Sequence, residues 1–287
     1  MKNRIAIALL ALSLSGCATV SDLFAEDDEI EIRRLKPIEA TFEPQVKWET
    51  DVGDGVQDYF SRLAPAVAYG KVFAASRDGI VVAIEPETGK KIWEQDFANY
   101  DNYSFKKAIL WYSNRAVSAK ISGGLTVAYE LVFFGTEDGY VYALEQATGE
   151  LKWKVGVKGE VISAPAVDSG VVLVNTTSGH LIALDPDTGE QKWITESDVP
   201  PLTLRGVSAP AADSGGALVG TPSGKLQVTL IETGMVAWET QIASPTGATE
   251  LERIVGIDVK PLVFGGNVFV ISYNGTLSAV ELRNGQV

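Results

Sequence analysis

A motif that ends in tryptophan recurs along the chain and constrains its fold more than any other feature. The motif combines an Asp-Gly, Ser-Gly or Asn-Gly pair, an alternating apolar stretch, and a Thr-Gly or related pair. In each complete copy a tryptophan follows four residues after the second glycine. The complete copies end in Trp93, Trp153, Trp193 and Trp238. Counted from Trp48 and without Trp111, which lies inside the longest interval, these tryptophans are 45, 60, 40 and 45 residues apart, a period typical of β-propeller blades.

Each part of the motif has a structural role. The Asp-Gly type of pair suits tight hairpin turns that require positive φ, and the flanking apolar alternation predicts antiparallel strands. A large indole at the end of the unit predicts a side chain packed between neighbouring sheets, where it buries roughly 150–250 Å². We therefore predict an all-β fold, a β-propeller of four-stranded antiparallel blades. The predicted blade-docking residues are Trp48, Trp93, Trp153, Trp193 and Trp238.

The two ends of the repeat array are irregular. A fifth copy begins near Tyr273 and reaches Val287, two residues before its expected tryptophan. The segment Lys47-Trp48-Glu49-Thr50 has the pattern of a strand that ends a repeat, although no repeat precedes it. In closed propellers such a strand often completes the last blade. We therefore expect about five blades and a chain that is an incomplete form of a longer propeller.

Residues 1–16 have the pattern of an export leader. Lys2 and Arg4 precede an apolar run over residues 5–14, which is too short to span a bilayer as a stable helix. The run leads into Leu-Ser-Gly-Cys at 14–17, which resembles the bacterial lipobox and implies cleavage before Cys17 and its acylation. The alternative is an ordinary thiol in an ordinary leader. No Asp follows the cysteine, which favours the outer membrane over inner-membrane retention.

Charge and cysteine content limit the partners of the mature chain. The net charge is −13 and becomes −15 when the leader and its two basic residues are removed, so nucleic acid and anionic lipid are poor partners. Cys17 is the only cysteine, so no disulfide supports the fold. Residues 17–44 are charged and without apolar pattern, which predicts a lipidated flexible tether. The incomplete propeller is expected to occupy residues 45–287.

An enzymatic function is the first alternative that the repeat suggests. The Ala-hydrophobic-Asp/Glu-x-x-Thr-Gly-x-x-x-Trp unit resembles the tryptophan-docking repeats of pyrroloquinoline-quinone dehydrogenases. That resemblance implies Ca²⁺ ligands, a catalytic Asp and often a vicinal disulfide, and a single cysteine cannot form the disulfide. His180, the only histidine, is expected to be a solvated residue of a hairpin turn. We predict no catalytic residue, no metal site and no cofactor.

Two segments break the repeat, at residues 200–210 and 246–261. They occupy equivalent places in adjacent blades, so we expect them to lie side by side on one face. Leu202 and Leu204, next to Arg205 and opposite Asp258, would combine aliphatic anchors with a directional cation, as protein-binding surfaces do. From the residues alone, buried leucines and an internally paired Arg205 are an equally good interpretation.

The lipobox, the repeats and these two segments together resemble the BamB family of outer-membrane assembly lipoproteins. The specific matches are Leu-Thr-Leu-Arg-Gly-x-Ser-Ala-Pro at 202–210 and Thr-Glu-x-x-Arg-x-x-x-x-Asp-x-x-Pro at 249–261. The resemblance extends over essentially the whole chain. It implies an eight-bladed propeller, of which about five blades are present here, anchored by lipid on the periplasmic face of the outer membrane.

The same resemblance implies a partner and the residues that bind it. Family members belong to the β-barrel assembly complex and contact the periplasmic POTRA domains of BamA, which assigns partner binding to Leu202, Leu204, Arg205 and Asp258. A second acidic position of the family is Gly256 here, so the acidic side of the contact is expected either to be weaker or to rely on Glu252 and Glu250. Unfolded outer-membrane proteins, held at sheet edges by β-augmentation, are a further predicted partner.

Overall fold

The computed structural model describes residues 39–98 and 117–287. Cys17, the leader, most of the predicted tether, and residues 99–116 of the long interval between Trp93 and Trp153 lie outside the described residues. Val46–Val287 forms one compact unit. The described part of this unit contains nineteen strands in five antiparallel sheets and no helix.

The sheets are numbered here as blades 1 to 5 in chain order. Blade 1 contains β1 (Ala66–Ala68), β2 (Lys71–Ala75), β3 (Ile80–Ile84) and β4 (Lys91–Asp96). Blade 2 contains β5 (Thr126–Ala128), β6 (Leu131–Gly135), β7 (Tyr140–Glu145) and β8 (Leu151–Gly156). Blade 3 contains β9 (Ala166–Asp168), β10 (Val171–Asn175), β11 (His180–Leu184) and β12 (Gln191–Glu196).

Blades 4 and 5 continue the pattern. Blade 4 contains β13 (Ala211–Asp213), β14 (Gly216–Gly220), β15 (Lys225–Leu230) and β16 (Val236–Gln241). Blade 5 contains three strands, β17 (Leu262–Phe264), β18 (Asn267–Ile271) and β19 (Leu277–Glu281). Each strand pairs with the next along the chain, and the short first strands of successive blades contact one another. The blades therefore stand beside each other in chain order, with the first strand of each innermost.

The core lies in the seams between blades. Strands β6 and β10 are buried along their whole length because a blade covers each of their faces. In blade 5, which has a neighbour on one side, β18 alternates between buried and open positions. Each of the four seams has its own apolar cluster, and aromatic rings fill the first, where Phe134 stacks on Tyr142 with centroids 5.0 Å apart.

Each tryptophan of the motif packs on the turn after the third strand of the following blade. The Trp153 indole N–H donates to the carbonyl of Pro186 at 2.8 Å, and the ring covers Gly189. A Cβ at Gly189 would lie 2.7 Å from the ring, so only glycine permits this approach. The five pairs are Trp48 on Gly89, Trp93 on Gly149, Trp153 on Gly189, Trp193 on Gly234 and Trp238 on Gly285.

Two local predictions are wrong. Residues 47–50 were expected to form a strand, but they adopt no regular structure, because a strand needs a ladder partner and the described residues supply none there. Trp48 nevertheless docks on blade 1, donating to the Pro86 carbonyl at 2.7 Å. His180 begins β11 instead of lying in the turn, and its side chain is only 13% exposed beside Glu196.

Candidate partner-binding site

The blades have two unlike ends. We call the end that carries the turns after the first and third strands of each blade the turn end. The opposite end, which we call the connection end, carries the turn after the second strand and the segment that leads to the next blade. Because the strands are antiparallel, all tryptophan-docking turns lie at the turn end, and both irregular segments, 200–210 and 246–261, lie at the connection end.

Equivalent residues of the five connections meet near the innermost strands. Each stands four residues before the first strand of its blade: Arg62, Ser122, Ile162, Val207 and Asp258. The first four line one pocket together with Arg205 and Gly206. Arg62 reaches from blade 1 to the segment before blade 5, where its guanidinium donates to the backbone carbonyl of Asp258.

The segment before blade 4 presents apolar and cationic groups to solvent. Leu202 and Leu204 are 42% and 40% exposed, and the Arg205 side chain is 47% exposed. Burial begins only at Val207. The interpretation in which both leucines are buried strand residues is therefore wrong.

Arg205 is paired within the molecule, but not with Asp258. Its Nη2 lies 3.0 Å from Oε2 of Glu137 and 3.1 Å from Oε2 of Glu160. Burial alone would lower the pKa of Arg205, but the charges of Glu137 and Glu160 outweigh it and raise the pKa. The guanidinium is therefore a fixed, permanently charged donor that still faces solvent over about half of its side chain.

Asp258 contacts Gly206, the residue that follows Arg205 in the segment before blade 4. Its carboxylate packs so closely on Gly206 that a Cβ there would lie 2.3 Å from Oδ2. Burial raises the pKa of Asp258, and the nearby charge of Arg62 offsets only part of that effect. The structure therefore brings the two irregular segments together, as the sequence indicates, with Arg62 in the role of neighbouring cation that was expected of Arg205.

The acidic residues that precede Asp258 are engaged in their own loop. Glu252 accepts hydrogen bonds from the backbone of Ala248 and Thr249 at 2.7 and 2.9 Å, and these bonds lower its pKa. Glu250 pairs with Arg253 at 3.3 Å. Both carboxylates remain exposed, so they retain access to a partner, but their orientation is set by the loop.

Two charged residues of the site were missed by sequence reasoning. Arg77 forms two hydrogen bonds with Glu137, at 2.8 and 3.0 Å, and both side chains are about nine-tenths buried. A signal for them exists in the repeat, at the position after the Ser or Thr that directly follows the second strand. The occupants of this position are Arg77, Glu137, Thr177, Pro222 and Tyr273. Only the first two are charged, and their charges are opposite.

Residues 39–98 and 117–287 contain no group of three or more His, Cys, Asp or Glu side chains that could hold a metal ion. In that same part of the chain, no helix is long and apolar enough to cross a bilayer.

Five tryptophan-docked blades, with an irregular surface of exposed leucines and a fixed arginine at one end, define the class of the protein as a β-propeller. A family model described as outer membrane protein assembly factor BamB matches residues 43–105 and 77–287. The chain belongs to the BamB family.

Curated relatives carry the same description. The BamB of Alteromonas naphthalenivorans is 55% identical over 280 residues, covering 97% of this chain and 66% of that protein. The BamB of Yersinia pestis is 39% identical over 288 residues, covering 100% of this chain and 70% of that protein. The chain thus spans about two thirds of the length of these relatives. Their names confirm the predicted family, and they describe assembly factors, which are not enzymes.

Solved structures show the same fold. The crystal structure of BamB from Moraxella catarrhalis aligns with a TM-score of 0.65 at 24% identity, covering 77% of this chain and 61% of that one. Quinohemoprotein alcohol dehydrogenase from Comamonas testosteroni aligns with a TM-score of 0.57 at 18% identity, covering 79% and 42%. The predicted all-β propeller fold is confirmed. At this identity the dehydrogenase shares the fold alone, and the quinoprotein alternative gains no further support.

Proposed function

We propose that this chain is a non-enzymatic scaffold of the machinery that assembles β-barrel proteins in the outer membrane, and that it binds the periplasmic POTRA domains of BamA. The observation that carries the proposal is the exposed row of Leu202, Leu204 and Arg205 at the connection end. Family membership supports the assembly role, because the curated relatives are named outer membrane protein assembly factors.

The chemistry of the row suits a protein partner. Complete burial of a leucine side chain contributes about 1.5–3 kcal/mol, and a half-exposed leucine retains part of that for a partner. Arg205 is already held by two carboxylates, so it loses little side-chain entropy on binding. Arginine is enriched among the few residues that dominate the binding energy of protein interfaces.

Substitution of the row tests the site. We expect Leu204→Ala and Arg205→Ala each to weaken the Kd for the purified POTRA domains of BamA by about tenfold to a hundredfold, the usual range for interface anchors. The Kd is measured by isothermal titration calorimetry, with circular dichroism to show that the blades remain folded. Leu230→Ala is the matched control, because Leu230 is 44% exposed but lies at the turn end. An unchanged Kd for both site variants would remove this surface from the proposal.

We also propose that Cys17 carries lipid and holds the protein on the periplasmic face of the outer membrane. The support is the Leu-Ser-Gly-Cys sequence after the apolar run, followed by Ala-Thr instead of Asp. Several acyl chains together give stable membrane attachment. In cells labelled with radioactive palmitate, Cys17→Ser should lose the label and leave the outer-membrane fraction. A labelled variant that stays in that fraction would contradict the anchor.

Unfolded outer-membrane proteins are a second proposed partner, held by β-augmentation. The outer strands β4, β8, β12 and β16 stand at sheet edges, where backbone groups can pair with an added strand. A photo-crosslinker at Glu94 in β4 should capture a denatured barrel protein, whereas one at the buried Val82 in the neighbouring strand should not. Equal capture at both positions would contradict edge pairing.

A further inference from the structure

Arg77 is a buried cation whose position is closely fixed. Its backbone N–H donates to Gly55 at 2.7 Å, and its carbonyl accepts bonds from Ile121 at 3.2 Å and from the Ser118 hydroxyl at 2.8 Å. The ring of Tyr59 covers the guanidinium, with the centroid 3.6 Å from Cζ. The side chain can therefore act as a rigid support for whatever it binds.

Arg77 binds the same carboxylate as the exposed Arg205, that of Glu137. Glu137 Oε2 lies 2.8 Å from Nη2 of Arg77 and 3.0 Å from Nη2 of Arg205. Burial alone would raise the pKa of Glu137, but its bonds to Arg77 and then Arg205 outweigh this and lower the pKa. One ionised carboxylate thus joins a buried arginine of blade 1 to a half-exposed arginine of the segment before blade 4.

The residue that carries the second carboxylate on Arg205 is held through its backbone. Thr177 occupies the position in blade 3 equivalent to Arg77 and Glu137. Its backbone N–H donates to the carbonyl of Glu160, and its hydroxyl accepts from the backbone N–H of Glu160, each at 3.1 Å. Glu160 then holds Nη2 and Nε of Arg205 at 3.1 and 3.3 Å. The same repeat position in three successive blades therefore supports one exposed guanidinium.

We infer that Arg77 and Glu137 are positioning residues of the partner-binding site, which hold Arg205 in the orientation that the partner meets. Blades 1 and 2 thereby contribute to a contact made by the segment before blade 4. The inference rests on the proposed function, but it adds residues that are too buried to touch a partner themselves. An arginine held in place before binding needs less ordering when the partner arrives.

The test removes the support without leaving a buried charge unpaired. Glu137→Gln alone would strand the cation of Arg77, which is strongly destabilising. The double variant Arg77→Gln/Glu137→Gln is neutral at both positions and leaves Arg205 with Glu160. We expect it to weaken the Kd for the POTRA domains by about tenfold, at the lower end of anchor losses.

A matched control lies at the other end of a seam. Lys152 of blade 2 pairs with Asp187 of blade 3 at 3.0 Å, so Lys152→Gln/Asp187→Asn removes an ion pair between blades at the turn end. It should leave the Kd unchanged. Thermal unfolding of both double variants shows whether any loss of affinity follows from stability.

A thermodynamic cycle separates positioning from a structural role. In an Arg205→Ala background, Arg77→Gln/Glu137→Gln should cause no further loss, because nothing remains to be positioned. A second readout needs no partner: in the double variant the Arg205 Nε–H signal in nitrogen-15 NMR should show a lower order parameter.

The binding and NMR measurements together decide whether Arg77 and Glu137 position Arg205. A tenfold loss that disappears in the Arg205→Ala background, together with a more mobile Arg205, supports the inference. An equal loss in both backgrounds, or an Arg205 signal of unchanged order, overturns it. If Arg205→Ala and Leu204→Ala both leave the Kd unchanged, the proposed partner site fails, and the NMR measurement alone then decides whether Arg77 and Glu137 position Arg205.

Discussion

The turn end of the blades repeats the same contacts in every blade, whereas the connection end differs from one blade to the next. At the turn end, one arrangement of tryptophan on glycine occurs five times with nearly the same contacts. At the connection end, the five equivalent residues Arg62, Ser122, Ile162, Val207 and Asp258 are all different. A propeller needs its seams to match, but it places no such demand on the segments between blades. The repeated contacts therefore build the fold, and the segments that depart from the repeat form the candidate site.

The largest effect should come from breaking a seam. Trp153 is 8% exposed between blades 2 and 3, and Trp153→Ala should lower the free energy of unfolding by about 3–5 kcal/mol, as deletions of buried aromatic rings do. Urea unfolding followed by circular dichroism measures it. Trp48→Ala should cost clearly less, because Trp48 is half-buried on a segment without a strand. Equal losses would show that docking itself, independent of burial, stabilises the blade.

A smaller effect on stability is expected from alanine at two glycines that share a left-handed backbone, of which only one is covered by a tryptophan ring. Gly189 and Gly170 have φ values of 73° and 72°, but a Cβ at Gly189 would meet Trp153, whereas one at Gly170 meets nothing within 4 Å. Both alanine variants carry the cost of a left-handed backbone, about 1 kcal/mol or more. Only Gly189→Ala should also displace the indole, so its unfolding midpoint in urea should be the lower. Equal midpoints would show that the seam adjusts to a methyl group.

At the connection end, replacement of a closely packed glycine by alanine should affect partner binding more than stability. Gly206→Ala would place a Cβ 2.3 Å from Oδ2 of Asp258 and so push that carboxylate away from the Arg205 segment. We expect about a tenfold weaker Kd for the POTRA domains, close to 1.4 kcal/mol, with an almost unchanged melting temperature. A large fall in melting temperature with unchanged affinity would mean that this contact is structural.

The smallest effect is a contrast between two carboxylates in their dependence on pH. Burial raises the pKa of Asp258, so its contribution favours folding at low pH and is lost as pH rises through the raised value. Asp258→Asn should therefore slightly increase stability at pH 7, by less than about 1 kcal/mol, and the gain should shrink on acidification.

Asp185, at the turn end, should behave in the opposite way. Burial would raise the pKa of Asp185, but hydrogen bonds from Asp187, Lys192 and Thr188 outweigh it and lower the pKa. Its contribution is present at neutral pH and is lost as pH falls through the lowered value, so Asp185→Asn should reduce stability at pH 7. Melting temperatures between pH 3 and about pH 7 compare the two variants. If the melting temperatures of the two variants changed with pH in the same way, the proposed contrast between Asp258 and Asp185 would be wrong.

Prediction from sequence succeeded where structure depends on short-range pattern. The turn pairs, the apolar alternation and the tryptophan spacing are local, and they predicted the blades and the fold. The partners of Arg205 are not local: Glu137 comes from a turn within blade 2 and Glu160 from the segment before blade 3. Asp258 was the natural guess because its segment occupies the adjacent connection. The expected strand at Trp48 failed for a related reason, since a strand is defined by a neighbour that local pattern does not reveal.

Because each of the five blade-docking tryptophans packs on the blade that follows it, the seams have a direction. A seam closes only after the chain has been extended by another blade, since the glycine that receives Trp93 lies 56 residues later, at Gly149. A chain delivered from its N-terminus therefore always carries one blade whose indole still has no surface to cover. Folding can advance along the array one seam at a time, and the quenching or shift of each indole's fluorescence should report the arrival of its successor.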